Sequence, residues 1–300
     1  MFTKEEATEF ITDKLKIKEP LRQFDKNRLV LLNNIIRAVM YQVPFQNITL
    51  LCLPEKDRKA PTMDEIKRDG ISLVGGLCIV NNAILKNVLE AIGFDIEYVS
   101  ATIIDPDSHV LCIASNVLHE GDKYLVDVGC GYPTFEAIPL DFNDESPIYE
   151  FSFMKFKLVR NQGVIERQHL RQSKNLLRLD SYSVYDQFET RWVKFYEFSV
   201  TPVEYCQFDS TMNLIYTVPD ASPFLISIVL VSFKNGKCTV VRDNLHLEEG
   251  DDNKLHEVER LESNESIISC ISKICPQLSE LDIKNAVEIW ASEYKHSTNK

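Results

Sequence analysis

The chain has no C-x-x-C pair and no histidine cluster at zinc-ligand spacing, so no metal site is expected. No apolar run is long enough to span a bilayer. The start, Met1-Phe2-Thr3-Lys4-Glu5-Glu6, is charged and lacks the apolar core of a secretory signal. Neither an internal repeat nor a low-complexity stretch is visible. Positive charge is also short: 33 Lys and Arg stand against 45 Asp and Glu, for a net charge of -12. That balance argues against a nucleic-acid surface or an anionic membrane as partner. Any coenzyme phosphate would need a local basic patch.

What is present is a globular composition, 44% hydrophobic and 26% charged over 300 residues. That length carries a large core and fits two or three subdomains. Several of the eight cysteines sit inside apolar strand patterns. Buried reduced thiols, and hence a cytoplasmic location, are the expectation. The Asn47-Ile48-Thr49 sequon should then be silent.

The first ninety or so residues read as a helical bundle. Capping boxes open helices at Thr3 and Thr62, and residues 29–41 form an apolar-faced helix that Pro44 stops. From Phe94 the pattern turns to strands: 95–104, 109–118 and 123–128, the last two joined by Glu120-Gly121-Asp122. Residues 149–159, 177–185 and 192–200 continue the β character, as in a barrel or curled sheet. The polar stretch 161–174 reads as a surface loop or strand pair, and the acidic run 248–252 as a solvated loop. Asn235-Gly236 predicts a hairpin between 226–233 and 237–241, and helices follow at 266–274 and 281–294. The tail 296–300 reads as disordered. His119, His169, His246, His256 and His296 sit in polar contexts and read as surface residues.

The stretch Leu73-Val74-Gly75-Gly76-Leu77-Cys78-Ile79-Val80-Asn81-Asn82 stands out. A glycine pair precedes a cysteine, and a helical pattern that Gly93 would stop follows it. In the first turn of a helix, free N–H groups and the macrodipole favour a thiolate. On residue type alone, a buried cysteine packed under a loop is the better reading. Two later residues shift the balance. His109 opens one strand pattern, and Asp127 interrupts another, where burial is costly without a partner. Cysteine, histidine and aspartate supply a nucleophile, a base and an orienting carboxylate.

These residues resemble the arylamine N-acetyltransferases. That family carries V-P-F-E-N, R-G-G-x-C-x-E-x-N, a histidine strand and V-D-x-G-x-G, in this order. Here they read Val43-Pro44-Phe45-Gln46-Asn47, Gly75 to Asn82, His109, and Val126-Asp127-Val128-Gly129-Cys130-Gly131. Ile138-Pro139-Leu140, Tyr196-Glu197-Phe198 and Thr217-Val218-Pro219 are similar to later landmarks. The resemblance runs from about residue 29 to about 241 and is strongest over 43–140. It implies an α/β fold of α+β type with a cysteine-protease-like core. The divisions would be a bundle at 1–93, a β-barrel at 94–200 and an α/β lid at 201–300. It also implies a Cys78–His109–Asp127 triad, with Ile79, Ser108, Cys130 and Thr217 as substrate contacts. No metal and no resident cofactor are implied. Acetyl-coenzyme A would be the co-substrate, and an arylamine or arylhydrazine the acceptor of a ping-pong transfer.

Several positions depart from the pattern. Val74 replaces the family's arginine, Gln46 its acid and Val80 its glutamate. Asp105 and Asp107 stand where small residues help to hold the coenzyme, and Asp220 stands in place of a small hydroxyl. A thiol hydrolase or transglutaminase-like enzyme with the same three residues, or a binding protein without turnover, are the alternatives.

Overall fold

The structure, a computed structural model, describes residues 1–171 and 191–294. The amino-terminal part holds helices α1 (Lys4–Glu9), α2 (Pro20–Lys26) and α3 (Arg28–Gln42), strand β1 (Phe45–Gln46), and helices α4 (Ile48–Leu51), α5 (Met63–Ile71) and α6 (Cys78–Ala91). Both expected capping boxes form, at Thr3 and Thr62. Asn27 caps α3, and Gly93 follows α6 at φ 107°, as the stop signal requires. Helix α6 is buried on nearly every side and lies across the neighbouring sheet.

That sheet comprises β2 (Asp95–Thr102), β3 (His109–Ser115), β4 (Lys123–Val126), β5 (Ile138–Pro139), β6 (Tyr149–Phe151), β7 (Met154–Asn161), β8 (Val164–Arg171) and β9 (Arg191–Phe198). The spatial order is β5-β4-β3-β2-β9-β8-β7-β6, and every neighbouring pair is antiparallel. It curls as one surface and is the expected strand region. The pattern over 149–159 is two strands, reversing at Ser152 with φ 53°. Of the polar stretch read over 161–174, the part up to Arg171 enters the sheet as β8, whose Arg167 is fully buried, and 172–174 lie outside the described residues. The strand expected at 177–185 and the tail 296–300 lie outside the described residues.

Helix α7 (Asp209–Thr217) follows, which the sequence pattern did not announce. Strands β10 (Val229–Ser232), β11 (Thr239–Arg242), β12 (Leu245–Glu249) and β13 (Leu255–Arg260) and helices α8 (Asn264–Ile274) and α9 (Glu280–Glu293) complete the chain. The Asn235-Gly236 hairpin forms between β10 and β11. The acidic run 248–252 is a hairpin tip, but not wholly solvated. Glu249 is buried and accepts from the Cys238 backbone N–H at 2.9 Å and from the Ser152 hydroxyl. β1 pairs with β10, so the amino-terminal region supplies an edge strand to the second sheet. Ile48 and Leu51 of α4 pack there against Ile271, Val287 and Trp290.

Asn47 ties the two parts together. Its amide donates to the Phe224 and Ser227 carbonyls, both at 2.6 Å, and its oxygen accepts from the Val229 N–H at 2.8 Å. All of these groups are buried or partly buried, where an unmade bond would cost about 1–3 kcal/mol each.

Candidate active site

Cys78 is the first residue of α6, and no side chain caps the helix at Leu77. The approach to it is shaped by two glycines. Gly75 has φ 72°, and a Cβ there would lie 2.0 Å from the Pro44 carbonyl oxygen, so no other residue fits. Gln46 braces the same loop from below. Its side-chain amide donates to the Gly75 carbonyl at 3.2 Å and to the Thr49 hydroxyl at 3.0 Å, and its oxygen accepts from the Thr49 N–H at 3.1 Å. With Val74 and Gln46 both neutral, it is an amide network that braces this loop. A buried amide with its bonds made avoids the desolvation cost of two charges.

His109 and Asp127 meet because β3 and β4 are antiparallel: the start of one lies beside the end of the other. His109 Nε2 lies 3.0 Å from Asp127 Oδ2, and both side chains are buried. Cys78 lies near enough to the imidazole to act on it as well, and it favours the protonated ring. Three residues separated by up to 49 positions are thus gathered at one place.

The carboxylate is held by more than the histidine. Tyr196 Oη donates to Oδ2 at 3.0 Å, Asn82 Nδ2 to Oδ1 at 3.0 Å, and the Gly129 N–H to Oδ1 at 3.1 Å. Asn82 lies one turn beyond Cys78 on α6, so one helix face carries Cys78 and this brace. Its other amide hydrogen goes to the Val110 carbonyl at 2.6 Å, and its oxygen takes the Val128 N–H at 2.9 Å.

Burial alone would push the Asp127 carboxyl up, but the charge and hydrogen bond of His109, then Arg167 and Asn82, hold it well below the usual carboxylate range. Burial pulls the His109 imidazole down. The charge and bond of Asp127, and then Cys78, outweigh that and raise it from 6.5 to about 10. At neutral pH the pair is therefore carboxylate and imidazolium.

Arg167 is the residue that sequence reading missed. Its Nη1 lies 3.9 Å from Asp127 Oδ2, and its guanidinium sits 4.1 Å from the Phe156 ring centroid. His169, expected at the surface, is buried beside it, stacked on Phe195 and accepting from Arg167 Nε at 3.0 Å. His119 and His256 are exposed as expected.

Of the four expected substrate contacts, Ile79 is buried in the core next to Cys78. Ser108 is half-buried beside His109, and its hydroxyl accepts from the Ile103 N–H at 3.1 Å. Cys130 is buried, and burial first, then the Asp127 charge, push its thiol up to about 12. Thr217 ends α7 and donates to the Asn213 carbonyl of its own helix at 2.7 Å. Nearby, Asp105 is exposed, but Asp107 is turned inward. Its carboxylate accepts from the Ser100 hydroxyl and from Gln207 Nε2, the latter at 3.0 Å.

A curled antiparallel sheet with a cysteine helix laid across it defines the class. A family model described as N-acetyltransferase matches residues 28–274, and the chain belongs to that family. It is 26% identical over 180 residues to the arylamine N-acetyltransferase of Mycolicibacterium smegmatis, and 25% over 173 residues to the pineal gland isozyme of Gallus gallus. These alignments cover 57% and 51% of this chain, and the chain spans 58% of the length of each of these curated relatives. Among solved structures, the M. smegmatis enzyme superposes with TM-score 0.70 at 17% identity, over 88% of this chain and 93% of that one. The Mycobacterium marinum enzyme in complex with CoA gives 0.72 at 14% identity, over 92% and 96%. At these identities the structural likeness concerns the fold.

Proposed function

We propose that this chain transfers an acetyl group from acetyl-coenzyme A to an arylamine or arylhydrazine, in a ping-pong sequence through acetylated Cys78. The observation that carries this reading is the buried, hydrogen-bonded His109–Asp127 pair, with Cys78 at the start of α6 near enough to act on the same imidazole. The Cys78 thiolate attacks the thioester carbonyl and forms a new C–S bond. The tetrahedral intermediate expels the coenzyme thiolate, which takes the proton from the His109 imidazolium. An amine then attacks the acetyl-cysteine carbonyl. His109 accepts its N–H proton, and the Cys78 thiolate leaves with the electron pair of its C–S bond. Asp127 holds the imidazole by Nε2 and stabilises its charged form throughout.

The same proposal assigns substrate contacts to Ile79, Ser108, Cys130 and Thr217, and divides the chain at 1–93, 94–200 and 201–300. It needs neither a metal nor a resident cofactor. A cytoplasmic setting is supported by eight cysteines, all unpaired. No described helix is long and apolar enough to cross a membrane.

The test is coenzyme release with and without an arylamine. The transferase reading expects a single turnover of release without amine and continuous release with it. Continuous release without amine would mean thioester hydrolysis, and no release would mean a binding protein.

A further inference from the structure

We propose that Arg167 is a positioning residue that sets the protonation state of the Cys78–His109 pair by fixing a permanent positive charge against Asp127. Arg167 is fully buried. Each nitrogen of its guanidinium is anchored: Nε donates to His169 Nε2 at 3.0 Å, Nη1 to the Thr134 hydroxyl at 2.9 Å, and Nη2 to the Pro133 carbonyl at 3.3 Å. Nη1 also reaches Cys130 Sγ at 3.6 Å. Phe156 and Tyr196 present ring faces at 4.1 and 5.8 Å. A cation clamped in this way cannot swing to solvent, and it stands 3.9 Å from Asp127 with both side chains fully buried, where charges interact more strongly than in water.

The charge sum shows what the residue does. Thiolate, imidazolium and carboxylate total one net negative charge. With Arg167 the buried cluster is neutral. An uncompensated buried charge is costly, and it is usually relieved by taking up a proton. A fixed cation weakens every proton bound near it. It thus favours loss of the Cys78 proton and, at higher pH, of the His109 proton.

Other titratable groups face this cluster. Cys112 comes from β3, Cys130 and Tyr132 from the loop after β4, His169 from β8 and Tyr196 from β9. Tyr205 and Tyr216 face Cys78 from the α7 side. Burial raises Cys112, Cys130, Tyr196, Tyr205 and Tyr216 first, so these stay neutral where the pair titrates. His169 accepts at Nε2 and is neutral in that bond. Lys86 and Glu90 act on Cys112 from α6 with opposite signs.

The test is the pH dependence of Cys78 alkylation by iodoacetamide in wild type, Arg167→Lys, Arg167→Gln and Arg167→Met. Arg167→Met keeps an apolar fill in an aromatic bed and Arg167→Gln keeps donors, so the charge is separated from packing and from bonding. The two charge-free variants are expected to move both inflections to higher pH by about one unit. Alkylation below the first inflection then slows about tenfold. Arg167→Lys is expected to restore the wild-type profile. A merely structural role would lower amplitudes or melting temperature and leave the inflections in place. Unmoved inflections in a folded charge-free variant overturn the proposal, as does loss of the folded state in both charge-free variants. The inference rests on Cys78 being the nucleophile, and alkylation needs no acyl donor. Slow alkylation of Cys78 in all four proteins would overturn both readings, whereas fast alkylation with unmoved inflections overturns only the role of Arg167.

Discussion

Gly129 lies so close to Cys78 that a Cβ on it would stand 2.8 Å from the cysteine Cα and 2.9 Å from its carbonyl oxygen. Asn82 Nδ2 would be nearer still, at 2.6 Å. Two of these three neighbours are backbone of the first helical turn and cannot step aside. The glycine that follows Asp127 is thus what lets the carboxylate loop close onto the cysteine helix.

Gly129→Ala should therefore damage fold and site together. Forcing a methyl into this contact costs about 1–3 kcal/mol. It pushes Asn82 off Asp127 or α6 off the loop. A lower urea midpoint and slowed Cys78 alkylation are the expected pair of readouts. Wild-type values for both would mean that the loop yields without cost.

Cys78 should be alkylated faster at neutral pH than any other cysteine. Cys112, Cys130 and Cys238 are buried, and burial leads the causes that raise their thiols. Cys206 is exposed and serves as the internal reference. Peptide mapping after brief iodoacetamide treatment ranks them, and Cys78 reacting no faster than Cys206 would remove the case for an activated nucleophile.

The His109–Asp127 pair also predicts how stability varies with pH. The folded imidazole is raised from 6.5 to about 10. Its contribution is then complete below about pH 6.5 and fades as pH rises toward 10. Asp127 is shifted the other way, so its contribution is present above the ordinary carboxyl range and is lost only in strong acid. The melting-temperature advantage of wild type over His109→Gln should narrow between pH 6.5 and 10. A constant gap across that window would show that the ring is not protonated in the fold.

Much of this architecture was legible in the chain because local rules set it. The capping residues Thr3 and Thr62 and the stop at Gly93 act within a turn of the helices they bound. Cys78, His109 and Asp127 were readable because each is a costly or reactive residue in an apolar setting. Arg167 was not, since it lies in the run Glu166-Arg167-Gln168-His169, which looks solvated. Only the register reveals it: Arg167 pairs with Leu158 and His169 with Phe156, placing both on the buried face of β7. The residues needed to see this lie a hairpin away. Helix α7 was silent for a similar reason. Its buried residues are just Met212 and Tyr216, one turn apart, too few to mark a period.

The structure also changes what Asp107 is expected to do. Its carboxylate is a ligand of Ser100 and Gln207, so it fastens the loop before His109 toward the segment leading into α7. Asp107→Asn keeps most of those bonds and removes the charge. Asp107→Gly removes both, and its backbone suits the position, where φ is 59°. If coenzyme pyrophosphate passes this loop, both variants should lower the KM for acetyl-coenzyme A and weaken its dependence on salt. Stopped-flow acylation at two ionic strengths measures this, and unchanged rates at both would put the donor elsewhere.

The central claim is that Cys78 carries the acyl group. Intact-protein mass after incubation with acetyl-coenzyme A, without acceptor, tests it most directly. One acetyl group on the wild type and none on Cys78→Ala is the expected result. An unmodified wild type, or equal acetylation of both proteins, would contradict the account.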